Sequence, residues 1–236
     1  MGVVIDLTHD AHVHSTFSDG KHDVETNIGA AHAHGLASIG LVDHVRSDTT
    51  WVPDYVAAVR QSGKRAPVAV TCGVEAKILD PTGALDLPAS LHGVDEILVA
   101  DHQVPIGDGC DHPSRIRRFL ETGHLEAAEV IGPLLEATAR AAERYDAVII
   151  AHLFSVLPKM GLDETAVCDD DIGVLGRRLA AAGARVEISE RWQCPSPRVA
   201  AILAGEGVEL IASTDSHRKE TIGIYDYVAV VSRSLA

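Results

Sequence analysis

The stretch SIGLVDH, Ser38 to His44, is a short apolar run that stops on an acid and an imidazole. Its apolar part, Ser38–Val42, is continuous rather than alternating, as in a strand buried on both faces of a parallel sheet. Six comparable runs flank it: Val3–Leu7, Pro67–Cys72, Glu96–Ala100, Ala147–Ala151, Arg185–Ser189 and Glu209–Ser213. Between them the pattern predicts helices over His22–His34, Asp54–Ser62 and Asp170–Ala182, each stopped by a glycine. Ser196-Pro197 opens another, with Ser as cap and Pro at the first helical position. The longest is Leu125–Tyr145, with a kink expected at Gly132-Pro133. Leu79–Val94, with two prolines and two glycines, reads as mostly loop. Seven strands alternating with helices give an α/β architecture, either a barrel or an open doubly wound sheet, in one domain over residues 1–236.

The 34 Asp and Glu outnumber the 20 Lys and Arg, a formal net charge of −14. That balance opposes binding to a nucleic acid polymer or an anionic membrane. It leaves room for an anionic substrate if metal ions supply the positive charge. Asp6, His9 and Asp10 interrupt the N-terminus before any signal-peptide core, and Asp6 stands where a myristoylation motif after Met1-Gly2 wants Ser or Thr. No run approaches the ~18 apolar residues of a membrane span. Cys72, Cys110, Cys168 and Cys194 form no CxxC pair and read as reduced thiols, so a cytoplasmic location is expected.

The polar residues after each run carry the functional signal. The first is followed by Asp10-Ala11-His12-Val13-His14 and Ser18-Asp19-Gly20, the second by Asp43-His44, the third by Gly73-Val74-Glu75. The remaining four lead to Asp101-His102, His152, Glu190-Arg191 and Thr214-Asp215-Ser216-His217. In parallel α/β folds the carboxyl ends of the strands are where sites are built. Residues i and i+2 of an extended segment share a side, so His12 with His14, and Asp215 with His217, can grip one ion. A lone His or Asp at such a place is usually a capping or turn residue, and Glu75 alone could pair with Lys77. Seven strand ends carrying such residues together point instead to metal. Imidazole mixed with carboxylate suits Zn, Mn or Fe better than Mg or Ca. Nine candidates (His12, His14, Asp19, His44, Glu75, His102, His152, Asp215, His217) exceed the needs of one tetrahedral ion and imply a polynuclear centre. His32 and His34 also spell HxH, but on a predicted helix where i and i+2 diverge, and they read as structural, as do His9, His22 and His92. His112 and His124 read as structural too, in a loop able to approach the site.

The set DAHVHSTFSDGKHD (from Asp10), GLASIGLVDH, GVEAKI, ADH, AH and STDSHR resembles the motifs of the PHP (polymerase and histidinol phosphatase) family, in the same order from Asp10 to His217. The resemblance implies a distorted (β/α)7 TIM-like barrel and a trinuclear centre of divalent transition-metal ions. It places His12, His14, Glu75 and Asp215 on a first ion and makes Glu75 a bridge to a second completed by His102 and His152. Asp19, His44 and His217 take the third. It further implies a metal-dependent phosphoesterase in which a hydroxide bridging two ions attacks phosphorus. The default substrate is a small phosphorylated metabolite such as L-histidinol phosphate. Three carboxylates against three divalent ions leave the centre about +3, which suits a phosphate dianion. Glu75, Asp215, His217 and Arg191 are the candidate catalytic residues. Arg191 is the first candidate to clamp phosphate, as histidinol phosphatases place a basic group near there, and Arg46 and Arg218 follow. Asp43 and Asp101 are candidate acceptors that orient neighbouring ligands. Ser216 and Cys72 read as structural. LVADHQVP around His102 departs from the phosphatases' more usual Ser-Val-His.

Alternatives within the same chemistry are a nucleotide phosphodiesterase or a PHP hydrolase of specialised metabolism. An amidohydrolase also begins with HxH, but usually carries a bridging Lys where this chain has Asp101-His102. A non-catalytic metal-binding module is the remaining alternative, and the oligomeric state is open.

Overall fold

The computed structural model describes residues 4–236. Seven parallel strands form one sheet in chain order: β1 (His9–Val13), β2 (Ser38–His44), β3 (Ala69–Lys77), β4 (Glu96–Ala100), β7 (Val148–Ile150), β8 (Arg185–Ser189) and β9 (Glu209–Ser213). The two sheet edges meet just past their strands, where the His14 N–H donates to the Ser216 carbonyl at 2.8 Å and the Ser216 N–H to the His12 carbonyl at 3.2 Å. The result is a nearly closed seven-stranded barrel, one of the two arrangements the strand pattern allows and the one the resemblance implies.

Helices α1 (Val24–Ala33), α2 (Val52–Gly63), α4 (Ala127–Arg144), α5 (Asp169–Ala181), α6 (Pro197–Gly205) and α7 (Tyr227–Leu235) accompany the strands. The main core packs buried Ile, Leu and Val of the strands against these helices. A separate small cluster (Ala11, Val42, Leu98, Ala100, Ile149, Ala151, Ile211) fills the barrel below the candidate ligands. Val42 precedes His44 by two residues and Ala100 precedes His102 by two, so each strand aims its apolar residue and its ligand the same way.

Several boundaries move. The first strand is not Val3–Leu7: Val3, with Met1 and Gly2, lies outside the described residues, Val4 is 84% exposed, and the strand is HDAHV itself. An Asp and a His sit inside a buried strand because each has a partner. Asp10 accepts from the Thr214 N–H (2.9 Å), the Thr214 hydroxyl (2.6 Å) and the Gly223 N–H (2.9 Å). Likewise Asp43, His44 and Glu75 belong to strands rather than to the loops after them. Leu79–Val94 contains no helix, as read. The hairpin β5 (Val104–Ile106) with β6 (Gly109–Asp111), helix α3 (Pro113–Glu121) and α7 were not read from the sequence. α4 carries a reciprocal capping box between Glu126 and Glu129 and continues helical through Pro133 to Arg144. No helix among the described residues is long and apolar enough to cross a membrane.

One cross-helix network ties the outer layer. Arg178 on α5 donates to both oxygens of Glu143 on α4 (2.6 and 2.9 Å) and to Glu136 (2.6 Å). Bidentate geometry on a partly shielded guanidinium lifts this above an ordinary surface pair. Arg178→Ala is expected to cost about 1–2 kcal/mol, read as a lower urea midpoint at unchanged slope. An unchanged midpoint would show the network to be ornamental.

Candidate metal centre

Glu75, at the end of β3, is the hub, with its side chain 1% exposed. Its Oε2 lies 2.8 Å from His44 Nδ1, 3.4 Å from His12 Nε2 and 3.5 Å from His14 Nε2. Its Oε1 lies 3.1 Å from both His102 Nε2 and His152 Nε2. His14 Nε2 meets Asp215 Oδ1 at 3.2 Å. Nearer the surface, Asp19 Oδ2 is 3.1 Å from His217 Nε2, and its Oδ1 is 3.7 Å from His44 Nε2 and 3.8 Å from His14 Nδ1. All nine candidate residues therefore gather in one cluster.

Local chemistry sets these positions. Asp43 accepts from the N–H and hydroxyl of Ser15 (2.9 and 2.6 Å) and of Ser18 (3.1 and 2.5 Å), which pins the loop carrying Asp19. That loop closes at Gly20, where a Cβ would stand 2.5 Å from the His14 carbonyl oxygen, so only glycine fits. Asp101 accepts from Ser155 Oγ at 2.7 Å and lies 3.3 Å from His152 Nδ1, the orienting place expected of it. His152 and Asp215 both hold positive φ (32° and 49°), an uncommon conformation for residues with a Cβ. Asp215 is fixed further by the Trp192 indole N–H, which donates to Oδ2 at 2.6 Å.

Among the described residues, His12 Nε2, both ring nitrogens of His14 and Glu75 Oε2 are buried without a hydrogen-bond partner. An unsatisfied buried polar atom costs about 1–3 kcal/mol, and four in one spot call for an explanation. Cations placed among them satisfy His12 Nε2, one ring nitrogen of His14 and Glu75 Oε2, since a neutral imidazole offers one lone pair and keeps its proton on the other nitrogen. The donor set therefore fits metal. Three groupings bring ligand atoms within 4.8 Å of one another: His14, Asp19, His44 and His217; His12, His14 and Asp215; His44, Glu75 and His102. The resemblance partitions them slightly differently, with His14 in one group only and His152 beside His102. His152 joins here through Glu75.

The electrostatics agree. Burial opposes the charge on Glu75, but His12 and hydrogen bonds from His102 and His152 hold its carboxyl well below the usual range. Burial opposes the charge on Asp215 too, and the His14 contact keeps it low. Burial, helped by the neighbouring His12 and opposed by Asp215 and Glu75, pushes His14 down to about 4, leaving its ring neutral, as ligation requires. Burial also works against protonating His152, yet Asp101 and Glu75 lift it to about 10, so a proton stands where a cation would serve.

A cleft of about 600 Å³ opens over the cluster, lined by Arg46, Lys77, His112, Arg191 and Trp192 along with outer candidate ligands. Arg191 Nη1 is 2.6 Å from His217 Nδ1 and 3.4 Å from Asp215 Oδ1. Arg218 faces a neighbouring recess with Glu190 and Thr221 instead of this cleft. Lys77 pairs with Asp86 at 3.5 Å rather than with Glu75. His32 lies on α1 and His34 caps its C-terminus, with His34 Nδ1 2.6 Å from the Ile222 carbonyl. His112 reaches the cleft wall, and His124 packs on Phe119. Residues the sequence reading missed are Lys77 and Trp192 at the cleft, and Glu187 beneath it. The signal for Glu187 was an acid in the middle of the apolar run RVEIS.

A parallel barrel whose carboxyl rim gathers six imidazoles and three carboxylates defines a metal-site TIM-like barrel. The PHP domain profile matches residues 10–155, more than half of the sequence, and the chain belongs to the PHP domain family. Among solved structures, a histidinol phosphate phosphatase from Lactococcus lactis, complexed with zinc, L-histidinol and phosphate, is similar at 17% identity with a TM-score of 0.66. That match covers 96% of this chain and 91% of the other. A provisionally assigned histidinol phosphatase from Listeria monocytogenes matches at 13% identity with a TM-score of 0.68, covering 92% and 97%. The N-isopropylammelide isopropylaminohydrolase of Burkholderia multivorans is more distant, with 15% identity, a TM-score of 0.52 and 89% and 56% coverage. At these identities the likeness shows the shared fold. No curated protein matches the chain in sequence.

Proposed function

We propose that the chain is a metal-dependent phosphoesterase that hydrolyses a small phosphorylated metabolite, with L-histidinol phosphate the first substrate to test. The observation that carries this reading is the set of unpartnered, buried ligand atoms gathered around Glu75 inside a PHP-family barrel. The Lactococcus structure, holding zinc, histidinol and phosphate, supports the choice of metal and substrate. Three ions match the nine donors: His12, His14, Glu75 and Asp215 for one, Glu75, His102 and His152 for another, and Asp19, His44 and His217 for the third.

Divalent ions bound there supply Lewis acidity toward phosphoryl oxygens and acidify a water for attack. The chain's own residues do the rest. Glu75 holds five imidazoles in one arrangement. Trp192 fixes Asp215 through the indole N–H, and Arg191 reaches into the cleft with a guanidinium suited to two phosphate oxygens at once. His217, between Asp19 and Arg191, stands at the cleft wall beside the place the phosphate would take. Phosphoryl transfer depends chiefly on such positioning and charge stabilisation.

Arg191→Ala is expected to raise KM for the phosphate ester about 10-fold or more with a smaller fall in kcat, and Arg191→Lys to restore little of it. A fall in kcat alone would reassign Arg191 to orienting Asp215 and His217. The reading as a whole is tested by a substrate screen of metal-loaded protein. Histidinol phosphate turned over well above p-nitrophenyl phosphate supports it. Equal or slower turnover removes histidinol phosphate as the substrate, and no phosphatase activity on any ester removes the function.

A further inference from the structure

Glu187 on β8 is a fully buried carboxylate with no arginine or lysine paired to it among the described residues. Its two oxygens are divided between ligands from different parts of the cluster. Oε2 lies 3.0 Å from the ring Nδ1 of His12 on β1, and Oε1 accepts the main-chain N–H of His152, just after β7, at 2.6 Å. We propose that Glu187 is a positioning residue that sets the coordinating nitrogen of His12 and the backbone pose of His152 together, and so couples two ion positions. The inference rests on the proposed metal function and deepens it.

A carboxylate only accepts, so the His12 nitrogen facing it carries the proton. Nε2 is then left with its lone pair toward Glu75 Oε2, 3.4 Å away, among the unpartnered atoms of the cluster. An anion behind the ring also makes Nε2 a stronger donor to a cation. At His152 the same carboxylate receives an N–H from a residue whose φ of 32° needs outside support. That backbone pose directs the ring so that Nε2 meets Glu75 Oε1 while Nδ1 faces Asp101. Glu75 and Glu187 each lie against both His12 and His152. The two carboxylates bracket the pair.

Glutamine at this position is nearly isosteric but offers one acceptor and one donor. If its oxygen keeps the His152 N–H, its NH2 faces His12 Nδ1, moves the ring proton to Nε2 and blocks that ligand. If it flips, its NH2 opposes the His152 N–H and releases the backbone. Either way one half of the arrangement is lost.

The experiment compares zinc binding, by chelator competition, in wild type and Glu187→Gln, with thermal unfolding of both metal-free chains. The expected result is a 10–100-fold loss of zinc affinity at one or more ions in the variant that stays folded. A merely structural role would lower the metal-free midpoint and leave the zinc affinity of the folded chain unchanged, which overturns the proposal. A second measurement needs no variant: long-range 1H–15N NMR of the zinc-loaded wild type. Nδ1-protonated His12 is expected, and His12 protonated on Nε2 overturns the proposal whether or not Glu187→Gln folds. A wild type that takes up no zinc overturns the functional reading and this proposal with it, whereas zinc bound equally by both proteins overturns the positioning role alone.

Discussion

Glu75→Gln is expected to lower kcat/KM by about 1,000-fold or more, which corresponds to about 4 kcal/mol of lost transition-state stabilisation. The reason is the number of partners on one carboxylate. Five imidazoles from four strands converge on its two oxygens, all within 3.5 Å. Gln keeps the shape but removes the charge and replaces one acceptor with a donor, which then faces imidazole nitrogens that should be aimed at cations. Both ion positions that share Glu75 should weaken together, so elemental analysis of the variant should show a loss larger than one ion. The variant should remain folded, because the neutral amide is cheaper to bury than the carboxylate. A variant that keeps its full metal complement and most of its activity would show that Glu75 is not the bridge.

Removal of metal is the second large effect. Dialysis against a strong chelator should abolish phosphatase activity and lower the unfolding temperature. A ligand present at 1,000 times its dissociation constant stabilises the native state by about 4 kcal/mol per site. For a domain of this size each kcal/mol moves the midpoint by about 2–4 °C, so even one such site gives a shift on the order of 8–16 °C. The direction is fixed by the buried, unpartnered nitrogens of His12 and His14, which the metal-free chain leaves uncompensated. Adding back zinc or manganese should restore both properties, and magnesium should restore less, given six imidazoles among the donors. Differential scanning fluorimetry and turnover, followed side by side through one metal titration, check this. An unfolding temperature indifferent to chelator would mean that the cluster is satisfied without ions.

The barrel was legible because its strands, buried on both faces, are continuous apolar runs. Glu96–Ala100, Arg185–Ser189 and Glu209–Ser213 coincide with β4, β8 and β9. Where strands carry their own polar residues the pattern misleads. HDAHV does not look like a buried strand until Thr214 and Gly223 are seen to satisfy Asp10, and only the folded barrel brings them together. The hairpin and α3 were invisible because VPIGDGCD is short and rich in turn residues, and α3 bears four charges in nine residues with only Pro113 and Ile116 buried. The candidate ligands could be named because each falls at a strand end of fixed direction. Of their supports only Asp43 and Asp101, each next to a ligand in the chain, could be named; the others could not. Glu187 hides in an apolar run, Trp192 follows the arginine that drew attention, and neither spacing nor residue type says which carboxylate lies behind which ring. Arg218, two positions from a hydrogen-bonded barrel edge, faces the neighbouring recess for a reason only the turn after β9 supplies.

The proposed centre requires six of the seven strand ends, all but that of β8, to hold several cations together. Inductively coupled plasma mass spectrometry on purified protein, saturated with zinc or manganese and freed of loosely held ions, measures it without reference to any substrate. The proposed centre is expected to hold about three ions per chain. One ion or none would contradict it.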